Sequence, residues 1–306
     1  MPVVSIRHLT TYRYRNPVGF GEHRMMLRPL EAHDQRLLSA EMEITPEPAL
    51  HREICDVSGS SVGVVRFVGR SDRLAFESRV RVDHRPETGF DLEGEDSALC
   101  HEPFRYAPED ARELARSLAR NHPDVEAVEA WARRFLRPVG RTRLANLLSE
   151  MTQAIHADFT YATRLQGAPQ TPQTTLQTRT GSCRDFAVLM IEAARSLGLA
   201  ARFVSGYIYS TSPKSGHTGG GHTHAWVRVY MPGCGWTDFD PTNGLIGGAD
   251  LIRVAAVADP RHALPLHGSW AGLASDFLGM DVEVEIAVEA ALATQPNALV
   301  RVARSA

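Results

Sequence analysis

The chain reads as an α+β protein: an N-terminal antiparallel β-sandwich, then a core in which one buried helix packs on an antiparallel sheet. Three patterns carry that reading. Short alternating apolar runs fill residues 1 to about 85, helical periodicity replaces them after residue 108, and strict alternation returns at residues 224–240.

The first part contains "VVSIRHLTTYRY", "HRMMLRP", "LLSAEMEITP", "VGVVRFVG" and "RLAFESRVRVDH", separated by turn residues, which is the spacing of a sandwich. The acidic, glycine-containing stretch "RPETGFDLEGED" reads as a connection and places the boundary between residues 1–95 and 96–306. Pro108 opens "PEDARELARSLARN" and Pro123 opens "PDVEAVEAWARRFL". Each has acids early and arginines late, as the helix dipole favours. In "RLANLLSEMTQAIHADF", Leu144, Leu147, Leu148, Met151 and Ile155 form one apolar stripe. The polar, proline-containing "TRLQGAPQTPQTTLQTRT" is expected to be a surface loop. A closing strand is expected near "VEVEIAVE".

Composition narrows the function. With 306 residues, 43% apolar, the chain can bury one large core or two ordinary ones, and two domains are expected. A net charge of -3 with both signs interspersed gives no footprint for nucleic acid or an anionic membrane. The apolar stretches are too short to span a bilayer, and the N-terminus lacks a basic region followed by an apolar one, so a cytoplasmic protein is expected. Cys55, Cys100, Cys183 and Cys234 lie far apart with no pair at metal-ligand spacing, so reduced thiols are expected.

One cysteine stands out. In "TGSCRDFAVLMIEAARSLG", Ser182 and Asp185 have the spacing of a capping box and Gly198 supplies the stop, which seats Cys183 at the first helical position. Phe186, Val188, Leu189, Met190, Ile191, Ala193, Ala194 and Leu197 cover almost the whole circumference, the mark of a helix inside a core. A helix N-terminus favours thiolate over thiol. An unpaired cysteine more often simply packs, so a base is needed to tip the balance.

A hairpin supplies one. "HAWVRVY" and "WTDFD" alternate on either side of "MPGCG". If opposed positions sum to 464, His224 faces Asp240 and Trp226 faces Asp238. His224, Trp226, Asp238 and Asp240 then share one face, and Val227, Val229, Thr237 and Phe239 the other. A carboxylate on one imidazole nitrogen leaves the other free to exchange a proton with a thiol. Asp240, followed by Pro241, is preferred over Asp238 as that carboxylate. The bland readings are a surface strand histidine and a turn-initiating Asp-Pro. A competing zinc site would draw on His217, His222 and His224 but lacks a fourth ligand, so neither metal nor cofactor is expected.

The blocks "GSCRDFAVLMIEAARSLGLAARFVSGY" and "HAWVRVYMPGCGWTDFDPTNG" resemble the cysteine, histidine and Asp-Pro-Thr motifs of bacterial transglutaminase-like proteins, a papain-like superfamily of cysteine enzymes. "SIRHLTTYRYRNPVGFGEHRMMLRP" is similar to the β-rich domain that often precedes that core. The resemblance implies a Cys183 nucleophile, a His224 base, an Asp240 orienting carboxylate and a peptide or protein substrate carrying an amide. Arg184 departs from the Gln that relatives often carry after the cysteine. Such relatives include peptidases, amidases, cross-linking acyltransferases and members without activity. A peptidase or amidase is the expectation, with protein-glutamine acyltransfer and a non-catalytic protein-binding scaffold as alternatives. The segment around Tyr161 is the candidate source of a second oxyanion-hole donor beside the Cys183 backbone N–H.

Overall fold

The computed structural model describes residues 3–86, 99–100, 104–122, 126–164, 167–210, 218 and 223–289. Five strands come first: β1 (Val3–Met25), β2 (Gln35–Thr45), β3 (Leu50–Cys55), β4 (Ser61–Arg66) and β5 (Arg70–His84). The helices follow as α1 (Pro108–Glu113), α2 (Ala115–Leu118), α3 (Glu126–Arg133), α4 (Leu144–Asp158), α5 (Pro172–Thr178) and α6 (Cys183–Ser196). A second group of strands comprises β6 (Ala201–Ile208), β7 (His224–Met231), β8 (Gly235–Asp240), β9 (Leu245–Ile246) and β10 (Leu251–Val257). The chain closes on β11 (Leu266–Ala271) and β12 (Phe277–Glu289).

The strands expected as a sandwich hydrogen-bond into one seven-stranded antiparallel sheet with the order β2-β5-β1-β4-β3, and β11 and β12 also pair with β1. The run "VVSIRHLTTYRY" and the first three residues of "HRMMLRP", expected as separate strands, lie at the two ends of the 23-residue β1. Its first half lies between β5 and β12, and its second half pairs β4 and β11. The exchange of partners occurs where the register shifts, between Arg13 and Val18 against β5 and between Phe20 and His23 against β11. Such irregularities add twist and bend, which let one strand serve both halves. The C-terminal strand therefore belongs in space to the N-terminal sheet, with Val4 opposite Val288 and Tyr12 opposite Met280.

The second sheet has five strands in the order β9-β8-β7-β6-β10, and every pairing is antiparallel. Helix α6 packs on β6 and β7. Every residue from Cys183 to Arg195 except Arg184 is buried, as the all-round apolar pattern requires. The two charged residues within its second half are buried as a pair: Arg195 Nη1 donates to Glu192 at 3.0 Å, and the remaining guanidinium nitrogens reach the carbonyls of Ser117, Ala201 and Ala258. The helix ends in a Schellman motif, with Gly198 at φ +85° and the Leu199 N–H bonded to Ala194 O at 3.0 Å.

Two expectations about the helical region also change. The run from Pro108 divides into α1 and α2 at Leu114. The polar segment after Tyr161, expected to be a loop throughout, contains α5, with Thr171 as N-cap accepting from the Thr174 N–H and Pro172 at the first position. Cap and N1 proline were both present in "TPQTT"; the absence of an apolar stripe hid them. Pro123 lies outside the described residues, and the helix expected from it is described over Glu126–Arg133.

One hydrophobic cluster runs from Val4, Ile6, Val80 and Val82 of the large sheet into α4, α6 and the second sheet. Beside it lies a polar clamp. Arg253 on β10, 1% exposed, donates to Asp34 and to Asp238, and its backbone N–H donates to Gln35 Oε1 at 2.9 Å. Gln35 Nε2 returns a bond to Arg253 O at 2.8 Å. His84 accepts or donates at 2.7 Å with the Tyr209 hydroxyl in the same interface. Replacing Arg253 by Ala removes the buried cation between Asp34 and Asp238, leaving Asp238 only Trp226 and Arg228, so it should destabilise the protein by about 3–5 kcal/mol in chemical denaturation. A loss below about 1 kcal/mol would show that the clamp does not hold the two sheets together.

Candidate active site

Cys183 sits at the first residue of α6 because Ser182 ends the preceding extended segment and Asp185 folds back over it. The Asp185 carboxylate accepts from the Ser182 N–H and the Ser182 hydroxyl, both at 2.8 Å. It also accepts from the Gln170 N–H at 2.6 Å and from Arg164 at 2.5 Å. A Cβ on Gly181 would fall 2.8 Å from the Asp185 Cβ, so this close approach needs the glycine. The parallel pairing of Thr160–Tyr161 with Thr180–Gly181 fixes Tyr161 alongside, and the Ala162 N–H bonds Gly181 O at 2.8 Å.

The hairpin forms as expected from alternation, but its register differs by two. Met231 pairs Gly235 and Val227 pairs Phe239, so opposed positions sum to 466 and the loop is Pro232, Gly233 and Cys234. A shift of two preserves the faces. Val227, Val229 and Phe239 join the cluster around α6, while Trp226 joins a separate one with Val204, Leu251 and Ala256. His224 therefore meets Asp240 diagonally rather than directly: Nε2 to Oδ2 is 2.8 Å. The same diagonal joins Trp226 Nε1 to Asp238 Oδ1 at 2.7 Å, which occupies the rival carboxylate. The Trp226 ring lies nearly parallel to the His224 imidazole, with centroids 6.0 Å apart.

Asp240 is fixed from the other side by the Thr242 N–H at 2.9 Å and by Asn243 Nδ2 at 2.8 Å. Asn243, part of "DPTNG", was not singled out by the sequence reading although it lies only three residues beyond Asp240.

Burial alone would lower the His224 pKa. The charge and hydrogen bond of Asp240, helped by Cys183, outweigh it and raise the group to about 10. Burial alone would raise Asp240, but the imidazolium, Asn243 and the Thr242 N–H together hold it below the usual carboxylate range. Both shifts favour the charged forms, imidazolium and carboxylate. His224 Nδ1 is buried with no formed hydrogen bond, although the Cys183 thiol acts on the ring. That looseness is common in sites before substrate binds. Tyr161 also feels Cys183: burial first, then the neighbouring thiol, raise its pKa, so its hydroxyl stays protonated.

Cys183 and His224 face a cleft of about 540 Å³. Tyr161, Thr163 and Arg164 line it, together with residues of β1 and β12 of the large sheet. Arg184 lines the cleft and donates to the carbonyls of Gly167 and Arg164 at 2.9 and 2.7 Å, tying both residues to the first turn of α6. Among the described residues no group of three metal-ligating side chains is present, and His217 and His222 lie outside them. Cys55 and Cys234 are exposed and unpaired; of Cys100 only the backbone is described. No helix among the described residues is long and apolar enough to cross a membrane.

Comparison with known proteins places this architecture. Residues 129–241 match the transglutaminase-like superfamily core and residues 4–83 the bacterial transglutaminase-like N-terminal region. An uncharacterized protein of Mycobacterium tuberculosis is 30% identical over 276 residues, 86% of each chain. A protein-glutamine gamma-glutamyltransferase of Pseudomonas aeruginosa is 33% identical over 92 residues, 28% of this chain and 14% of that one. A crystal structure from Cytophaga hutchinsonii, provisionally described as a cysteine protease, shares the fold. It has a TM-score of 0.71 at 18% identity, covering 96% of this chain and 92% of that one. The chain belongs to the transglutaminase-like superfamily, whose members are typically cysteine enzymes, and carries its bacterial N-terminal region.

Proposed function

We propose that the protein is a thiol hydrolase of amide bonds, a peptidase or amidase, with Cys183 as nucleophile, His224 as proton carrier and Asp240 as the carboxylate that orients it. One observation supports this above the rest. A buried cysteine at a helix N-terminus opens on a cleft beside an imidazole whose other nitrogen is held by a buried carboxylate.

In this reading the Cys183 thiolate adds to the amide carbonyl, forming the C–S bond and placing the carbonyl electron pair on oxygen. The Cys183 N–H, which has no intrahelical partner at the first helical position, and the Tyr161 hydroxyl donate to that oxyanion. When the C–N bond breaks, the His224 Nδ1 proton goes to the departing amine or ammonia, leaving a thioester. Neutral His224 then takes a proton from water as it attacks, and the acid and free Cys183 are regenerated. Asp240 holds Nε2–H throughout, so Nδ1 is the nitrogen that exchanges the proton.

Acyltransfer to an amine differs only in the second half, and the segment shared with the Pseudomonas aeruginosa glutamyltransferase favours it as the second reading. Following ammonia release and amine incorporation together on peptide and glutamine-amide substrates separates the two. Release without incorporation supports hydrolysis; stoichiometric incorporation overturns it in favour of transfer.

Replacing Cys183 by Ala should abolish turnover while the melting temperature changes little; surviving activity would remove Cys183 as nucleophile. Tyr161→Phe should lower kcat by about 10²–10³ with a smaller effect on KM, the loss typical of one oxyanion donor. An unchanged kcat would assign Tyr161 to packing alone. The ion pair makes a pH prediction. His224 is raised from 6.5 to about 10, so its contribution to stability is complete below 6.5 and is lost as pH rises through 10. Asp240, lowered from 3.8, contributes above its unfolded value and loses that as pH falls through the folded one. The stability difference between wild type and Asp240→Asn should therefore be largest near pH 5–6.5 and shrink toward pH 10. A difference independent of pH over that range would show that the pair is not ionised.

A further inference from the structure

Part of the lining of the cleft comes from the large sheet rather than from the helix and strand that carry the thiol and the imidazole. It is the end of the alternating face shared by β1 and β12. On β1 the even positions Val4, Ile6, His8, Thr10 and Tyr12 share one face; their partners on β12 are Val288, Ile286, Val284, Val282 and Met280. At the β1 N-terminal end this face is packed: Val4, Ile6 and Val284 are buried in the main cluster and Ile286 rests on it. Toward Tyr12 and Met280 the same face emerges beside the catalytic helix and lines the cleft, where Phe277 and Leu264 are 37% and 38% exposed. The odd positions of β12, Asp281, Glu283 and Glu285, point the other way and are exposed.

Two polar side chains on this wall, His8 and Thr10, are hydrogen-bonded within the protein. His8 bonds the Tyr207 hydroxyl at 3.0 Å and the Thr10 hydroxyl at 3.1 Å, and burial pulls its pKa down to about 4, so it is neutral at pH 7. The cationic residues at the cleft edge are engaged as well: Arg164 with Asp185, Arg184 with two carbonyls and Arg261 with Asp259. An uncharged, partly exposed apolar surface facing a nucleophile has one occupant whose chemistry the nucleophile fixes: the residue beside the amide it attacks. The cleft, at about 540 Å³, has room for that residue and its neighbours.

We infer that the N-terminal sheet and C-terminal strand set the substrate specificity, selecting peptide-like amides with a bulky aromatic or aliphatic side chain next to the reacting carbonyl. Tyr12, Leu264, Phe277, Met280 and Val282 form the surface that receives it. This rests on Cys183 being the nucleophile. It also gives the β-rich region a role in the reaction: separated from the core, the thiol would face open solvent where the selecting wall now stands.

Two peptidyl acyloxymethyl ketones, identical except for Phe or Asp beside the reactive carbonyl, test the inference on the full chain. The Cys183 alkylation rate of each is divided by that of iodoacetamide, which needs no wall. Wild type should react at least about tenfold faster with the Phe probe, the scale of discrimination by an apolar pocket. Met280→Lys, and Leu264→Lys at an exposed position that tolerates charge, should bring the ratio near or below one. Equal rates in wild type, faster reaction with the Asp probe, or a ratio unchanged in both variants would overturn the inference while leaving the thiol chemistry intact. Failure of iodoacetamide itself to reach Cys183 would overturn both.

Discussion

The buried carboxylate of Asp185 is the constraint on which the cleft depends. It is fully shielded from solvent and accepts from five donors on three residues: the Ser182 backbone and hydroxyl, the Gln170 backbone and side-chain amide, and the Arg164 guanidinium. A carboxylate at a helix N-terminus is favoured by the dipole, and buried it is tolerable only when its lone pairs are filled. Here the five donors fill them. The same contacts fix where α6 starts, and hence where Cys183 points; they also tie Arg164 and Gln170 to the start of the helix. Arg184 reinforces this by bonding to the carbonyls of Gly167 and Arg164.

From that fixed point the remaining parts follow in order of distance. The body of α6 is anchored by apolar packing on β6 and β7, and β7 brings His224 to the cleft. Asp240 reaches His224 because the hairpin loop sets the register, and Trp226 backs the imidazole because Asp238 holds its indole. Asp238 in turn meets Arg253, which Asp34 and Gln35 hold from the N-terminal side. The large sheet is thus connected to the histidine strand through hydrogen bonds as well as through the shared core.

Local signals made much of this legible in the sequence. The capping residues and all-round apolar pattern located α6 and its cysteine, and alternation located the hairpin and its two faces. The register was out by two because turn composition in "MPGCG" does not distinguish a loop at Met231–Gly233 from one at Pro232–Cys234; parity survived since both loops have three residues. What the sequence did not disclose depends on pairing across long separations. Nothing local places Met280 beside Tyr12, or Arg253 between Asp34 and Asp238. Helix α5 was missed for the opposite reason: its cap was readable, but a short helix without an apolar stripe resembles a loop.

The account's central claim is that Cys183 is a nucleophile rather than a packed thiol, and exposure and reactivity make opposite forecasts about it. Cys183 is 8% exposed, whereas Cys55 and Cys234 are exposed. Brief treatment of the native protein with limiting iodoacetamide at mildly acidic pH, with peptide mass spectrometry to locate the adduct, compares them in one sample. Activation by the helix N-terminus and His224 predicts that Cys183 is carboxamidomethylated first and well ahead of the two exposed thiols. Labelling that follows exposure, with Cys55 and Cys234 modified while Cys183 remains intact, would contradict it.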